Sequence, residues 1–280
     1  MNISACSWIF GKMAIQDVFC FMEQSGFDEV EIAATTAMEQ EKDIQNYLKT
    51  TSLKIGGMTG ASSKNDVHGH LSHPNQDERQ KAIESFQQQI ATCARLGGRY
   101  LIICPSSVGV MDLPDNIESH WNRALDSVRQ LIPVAEKYKI ELVIEPINRY
   151  ESLIVNRVQE AYHFAEQLNH PQVKILFDTF HANIEEVNFE DALENVFAKL
   201  HVVHLANNNR RGLTEGSLQF DIFLGKLQQL GYEGPLVFEM MATGPQPFVA
   251  NKTKQAMGQL LKELEQSVQH IRTLINQKEE

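Results

Sequence analysis

The chain has 280 residues, with 25 Lys and Arg against 36 Asp and Glu, a formal net charge of −11. An acidic chain whose longest basic run is Arg210-Arg211 is not built to hold a nucleic-acid polyanion, and without a long uninterrupted apolar stretch it has no membrane-spanning helix. The hydrophobic content of 42% suits a globular protein with a large core. Four scattered cysteines (Cys6, Cys20, Cys93, Cys104) without a CxxC, and an N-terminus lacking a basic-then-apolar leader, point to reduced thiols in the cytoplasm.

In chain order, residues 2–8 read as a first strand and 14–25 as a helix ended by Gly26. A second strand spans 27–33, a helix 39–50, and a third strand 53–58, glycine-rich at its end, where a backbone or ligand comes close. Residues 59–74 form a polar loop holding His68, His70 and His73; a helix covers 77–96 and a fourth strand 99–104, stopped by Pro105. Residues 115–138 are helical, with Pro133 expected to kink the helix or begin a new turn. The fifth strand, ending Leu142-Val143-Ile144, runs into Glu145-Pro146. A helix from 156 to 169, a sixth strand ending at Asp178, a helix over 189–199 capped by Asn188, a seventh strand ending at His204, a helix over 220–230 and an eighth strand ending at Glu239 follow. A closing helix covers about 250–277. Eight strand–helix units in strict alternation imply one parallel sheet closed into a (β/α)8 TIM barrel, a single domain over residues 1–280.

All the C-terminal strand ends of such a barrel meet at one face, where active sites sit. Glu145, Asp178, His204 and Glu239, spaced 33, 26 and 35 residues apart, would converge there. Three carboxylates packed together repel, and one keeps a proton unless a cation sits among them. Three oxygen ligands and an imidazole suit Mn²⁺, with Mg²⁺, Co²⁺ or Fe²⁺ as alternatives. His201, off the strand-end pattern, reads as a barrel residue rather than a ligand.

The runs Val143-Ile144-Glu145-Pro146-Ile147-Asn148-Arg149-Tyr150-Glu151, Phe177-Asp178-Thr179-Phe180-His181, His201-Val202-Val203-His204 with Asn209-Arg210, and Val237-Phe238-Glu239 resemble the ketose 3-epimerases. These are the D-tagatose/D-psicose group of the xylose-isomerase-like TIM barrels. The resemblance covers roughly residues 80–250. It implies a metal held by Glu145, Asp178, His204 and Glu239 that grips O2 and O3 of a small ketose. It also implies Glu145 and Glu239 on opposite faces of C3, one removing and the other returning the proton through a planar enediolate, and Glu151, His181 and Arg210 holding the O1–O3 region. The implied assembly is a homodimer or homotetramer. The chain departs from the family in the loop after Asn209-Arg210, where Arg211-Gly212-Leu213-Thr214-Glu215-Gly216 replaces Pro-Gly-x-Gly, and at Met240-Met241 and Pro245-Gln246-Pro247-Phe248. An aldose–ketose or hydroxypyruvate isomerase would use the same metal site, an inosose dehydratase is a third enzyme of this kind, and a non-catalytic sugar-binding barrel is the alternative of another class. A zinc nuclease of the same barrel type would need further histidines at the third and fourth strand ends and a basic groove. With no Gly-rich phosphate cradle, the sugar is expected to be unphosphorylated. Trp8, Trp121 and Phe248 are candidate apolar walls around it.

Overall fold

The computed structural model describes residues 1–66, 68–112, 115–244, 248 and 251–276. Strands β1 (Ile3–Cys6), β2 (Glu29–Ala33), β3 (Lys54–Thr59), β4 (Tyr100–Ile103), β5 (Glu141–Ile144), β6 (Val173–Asp178), β7 (Leu200–Leu205) and β8 (Leu236–Phe238) lie parallel in chain order, and β8 pairs with β1 to close the barrel. Helices α1 (Ile15–Gln24), α2 (Ala34–Glu39), α3 (Glu41–Tyr47), α4 (Gln76–Arg95), α5 (Ile117–Tyr138), α6 (Val158–Leu168), α7 (Thr179–Glu185), α8 (Phe189–Val196), α9 (Phe220–Gln229) and α10 (Lys254–Asn276) cover the outside. The expected eight strands are all present. Residues 250 and 277 of the expected closing helix, and Pro245, Gln246 and Pro247 of the departing loop, lie outside the described residues.

Three local expectations are corrected. The helix expected over 39–50 is shorter, α3 at Glu41–Tyr47, and an additional helix, α2, starts directly after β2. Pro133 does not interrupt α5, which runs through it. Both Pro133 and Arg129, whose carbonyl loses its partner, lie on the exposed face, so the missing bond is not buried. Helix α7 was not anticipated. Asp178 caps it, accepting from Phe180 N at 2.6 Å and His181 N at 2.9 Å.

The interior of the barrel is unusually polar on the β2 side. Val30 and Ile32 turn outward to the helices, while Glu29 and Glu31 turn inward and are both buried. Glu29 is met by Arg99 through two 2.7 Å bonds and by Asn2 Nδ2 at 2.7 Å. Glu31, nearer the mouth, accepts from Tyr100 Oη at 2.9 Å. The Tyr100 ring reaches it by lying over Gly57, where a Cβ would stand 2.3 Å from a ring carbon. The close approach expected at the glycines of β3 is therefore made by a side chain from the neighbouring strand.

Candidate active site

At the mouth, β6 and β7 set Asp178 beside His204 in register. Glu145 and Glu239 are the first residues past β5 and β8, yet their N–H groups still donate to Ile103 and Leu205 at 3.0 Å each, so the sheet holds both in place. All four side chains are buried. His204 Nδ1 lies 3.2 Å from Glu239 Oε2, 3.7 Å from Glu145 Oε1 and 3.8 Å from Asp178 Oδ2. The four strand-end residues singled out in the sequence therefore meet around one nitrogen atom.

Asp178 is divided between two tasks. Its Oδ1 caps α7, whereas Oδ2 is buried with no hydrogen-bond donor. Leaving a buried carboxylate oxygen without a donor costs on the order of 1–3 kcal/mol or more. A divalent cation among these residues would satisfy it, and hard oxygen donors plus one imidazole are a suitable set for such an ion.

The charges are unequally compensated. Burial pushes the Glu145 carboxyl up, the charges of Glu239 and Asp178 push it further, and the opposing pull of His204 leaves it well above the usual carboxylate range. Burial acts in the same direction on Glu239, but Arg210 and His204 outweigh it and hold that carboxyl at about 2. Arg210 Nη2 donates to Glu239 Oε2 at 2.7 Å. For His204 burial favours the neutral ring, and the charges of Glu31 and Glu239 prevail, raising it well above its ordinary value. The repulsion expected among clustered carboxylates is thus present, and it falls most heavily on Glu145.

His181, projecting from α7, borders the same cluster: Glu145, Asp178, His181 and Glu239 offer ligand atoms within 4.8 Å of one another. Its nitrogens are already engaged. The Asn148 amide has a defined orientation, since Oδ1 accepts from Tyr150 N at 3.0 Å and Nδ2 donates to Glu151 Oε1 at 2.8 Å. Nδ2 also lies 2.8 Å from His181 Nδ1, and Asn148 N donates to the same nitrogen at 3.3 Å. Nδ1 therefore accepts and the proton resides on Nε2. Burial, with Arg210 adding to it and Asp178 opposing, drops His181 to about 3, so the ring is neutral. Nε2 stands 3.1 Å from Arg210 Nη1, two donors side by side. A guanidinium at that distance disfavours a metal cation on His181, and His204 Nδ1, open to three carboxylates, is the better imidazole ligand.

Arg210 is held in a left-handed backbone conformation (φ 58°) and stacks over Phe180 with its guanidinium carbon 4.6 Å from the ring centroid. The loop that departs from the family pattern supports it. Asn207 ties residues 207–218 together through Leu213 O and Leu218 N, and Gly216 packs so closely on Asn207 that a Cβ would meet its Oδ1 at 2.2 Å.

Glu145, Glu151, His181, Arg210 and Glu239 line a cavity of about 310 Å³. Trp8 and Phe248 form part of its wall, with Ser63, Asn65 and Asp66 from the β3–α4 loop. Trp121 is elsewhere: it packs on Phe164 of the helical shell, with Nε1 donating to Gln167. His70 and His73 stack edge to face outside the cavity lining, and His201 pairs with Glu141 at 2.7 Å below the mouth. Glu31 and Asn148 were given no role from the sequence, and the 59–74 loop was marked for its histidines rather than for Ser63, Asn65 and Asp66. The available signal was Glu29-Val30-Glu31-Ile32, two acids alternating with apolar residues in a strand.

Residues 20–273 match the family model described as xylose isomerase-like TIM barrel. The chain is 30% identical over 217 residues to D-psicose 3-epimerase of Ruminiclostridium cellulolyticum, covering 76% of this chain and 74% of that protein. It is 25% identical over 246 residues to 3-dehydro-D-guloside 4-epimerase of Escherichia coli, covering 85% and 92%. The crystal structure of D-psicose 3-epimerase with D-tagatose from Clostridium cellulolyticum H10 superposes with a TM-score of 0.84, at 24% identity over 98% of this chain and 99% of that one. The fold, the converging strand ends and these matches agree: the protein is an isomerase-type enzyme and belongs to the xylose isomerase-like TIM barrel family.

Proposed function

We propose that the protein is a divalent-metal-dependent epimerase that inverts C3 of a free ketose. The observation that carries this is the convergence of Glu145, Asp178 and Glu239 on His204 Nδ1, with a donor-free Asp178 oxygen, inside a cavity also lined by His181 and Arg210. A divalent cation, Mn²⁺ first and Mg²⁺, Co²⁺ or Fe²⁺ next, supplies polarisation of the C2 carbonyl when bound by Glu145, Asp178, His204 and Glu239. The chain's own residues move the protons. Glu145 and Glu239 come from the ends of β5 and β8; by family resemblance they flank C3 on opposite faces, so that one takes the C3 proton and the other returns one. His181 Nε2–H and the Arg210 guanidinium donate to the oxygen that gains charge as C3 is deprotonated, and Glu151 accepts from a neighbouring hydroxyl.

The cavity contains several carboxylates and one arginine, which favours a neutral sugar over a phosphorylated one. The four cysteines are unpaired, in keeping with work in the cytoplasm, and by family resemblance the active form is a homodimer or homotetramer.

A second reading keeps this chemistry and enlarges the substrate. Ser63, Asn65 and Asp66 give the cavity a polar wall, and the E. coli relative, named as a 4-epimerase, is matched over 92% of its length. A ketone-bearing glycoside, epimerised next to its carbonyl, fits both observations.

The test is NMR of the Mn²⁺-loaded protein with D-fructose, D-psicose, D-tagatose and L-ribulose in D₂O. Deuterium at C3 with the C3 epimer is the expected result. Deuterium at C1 with an aldose product would make the protein an aldose–ketose isomerase, and no exchange with any free ketose would shift the test to keto-glycosides and to a binding role.

A further inference from the structure

One layer beneath the carboxylate cluster, Glu31 is fully buried and four side chains from four strands converge on it. Oε1 accepts from Thr59 Oγ1 at 2.7 Å and from Cys6 Sγ at 3.2 Å. Oε2 accepts from Tyr100 Oη at 2.9 Å and lies 3.2 Å from His204 Nε2. The hydroxyl, thiol and phenol come from β3, β1 and β4 and lock the carboxylate plane. The imidazole, from β7, is its fourth partner. An ionised carboxylate only accepts, so the imidazole nitrogen facing it carries a proton. In the neutral ring this leaves the lone pair on Nδ1, the atom aimed at Glu145, Asp178 and Glu239.

We propose that Glu31 is a positioning residue: it fixes His204 in the Nε2–H tautomer, with the Nδ1 lone pair turned to the cation, and so sets the cation affinity of the site. The inference rests on the reading above that His204 is a cation ligand. An acceptor behind a metal-binding imidazole orients the ring and raises its basicity, and its loss typically weakens metal binding about 10–100-fold. Glu31→Gln can keep an oxygen against Nε2 but loses the charge, so it should lie near the lower end of that range. Glu31→Ala loses both and should lie near the upper end.

The experiment is titration of metal-free protein with Mn²⁺, free Mn²⁺ being followed by its EPR signal, for the natural chain, Glu31→Gln, Glu31→Ala and His204→Ala. Circular dichroism and thermal unfolding of each metal-free variant report its fold. The expected result is intact metal-free folds, a Kd raised about 10-fold by Glu31→Gln and about 100-fold by Glu31→Ala. If His204→Ala weakens Mn²⁺ binding while both folded Glu31 variants stay within about twofold of the natural chain, the positioning role is overturned and the cation site stands. If His204→Ala leaves Mn²⁺ binding unchanged, the cation reading itself fails. Should the Glu31 variants not fold, ¹⁵N–¹H long-range correlation of ¹⁵N-histidine in the Mg²⁺-loaded natural chain decides: a proton on Nε2 of His204 upholds the assignment, and a proton on Nδ1 overturns it.

Discussion

Arg210 Nη2 donates to Glu239 Oε2 at 2.7 Å, and no arginine or lysine among the described residues pairs with Glu145. Two carboxyls that share one site are thereby driven apart, Glu239 to about 2 and Glu145 well above the ordinary range. Separation of this kind is how paired carboxyls acquire different proton-transfer roles. Replacing either with glutamine should lower the interconversion rate by about 10²–10⁴-fold. Each variant should also lose C3–H exchange preferentially from one epimer, the one whose proton that residue removes. Near-normal turnover by Glu239→Gln, measured by NMR in D₂O, would remove it from the acid/base pair.

Arg210→Lys keeps a positive charge but not the planar fork that reaches Glu239 and lies beside His181. Loss of one aligned donor to developing charge costs about 10²–10³-fold, and kcat/KM should fall accordingly. Arg210 lowers the Glu239 pKa, so weakening their contact raises it. Glu239 must be ionised to accept a proton, and the acid limb of the pH–rate profile should therefore move to higher pH. An unshifted limb would separate Arg210 from Glu239 ionisation.

Asn148 sets the His181 tautomer through its side-chain N–H. Asn148→Ala removes three side-chain hydrogen bonds, of which the one to His181 bears on the tautomer; that one is worth about 1 kcal/mol, so kcat/KM should fall at least roughly 5-fold. Asn148→Asp presents an acceptor to Nδ1, draws the proton away from Nε2 and places a charge beside Glu151, so it should lose more than the alanine variant. Steady-state kinetics that rank the two in the opposite order would refute the tautomer assignment.

Removal of the cation should abolish turnover and lower the melting temperature. At a hundredfold excess of cation over Kd, bound ion contributes about 2.7 kcal/mol, which corresponds to about 5–10 °C in a chain of this size. Differential scanning calorimetry with EDTA and then with added Mn²⁺ measures both the loss and its recovery. An identical melting temperature in the two conditions would count against a cation held by the folded barrel.

Glu263 on α10 ties the Arg210 loop to the barrel wall, accepting from Gly212 N at 3.0 Å and from Arg211. Burial would raise its pKa, but the Arg211 and Gly212 bonds lower it below the ordinary value. A depressed carboxyl stabilises the fold fully above its unfolded pKa, about 4.3, and the contribution is lost as pH falls through the folded pKa. Glu263→Ala should cost about 2 kcal/mol at neutral pH and less in acid, where the natural chain has already lost the bond. Urea melts at pH 7 and pH 3 test this, and equal costs at both would contradict it.

The order of the eight strands and the positions of Glu145, Asp178, His204 and Glu239 were legible in the chain. Short β-rich apolar runs end at those residues, and Pro146 makes one of the ends unmistakable. Asp178 was legible in one of its two functions: the capping of α7 by Oδ1 depends on a helix starting at Thr179, which was not anticipated. Glu31 was hidden for a different reason. Alternation of acid and apolar residues ordinarily sets the acid toward water, whereas closure of this barrel turns that face inward and sends Val30 and Ile32 to the helices. The residue types at the strand ends follow from the sequence alone. Which carboxyl is pushed upward, which nitrogen of each histidine carries its proton, and which carboxylate lies beneath the site were decided by the tertiary structure, because each depends on burial and on charges brought together from distant strands.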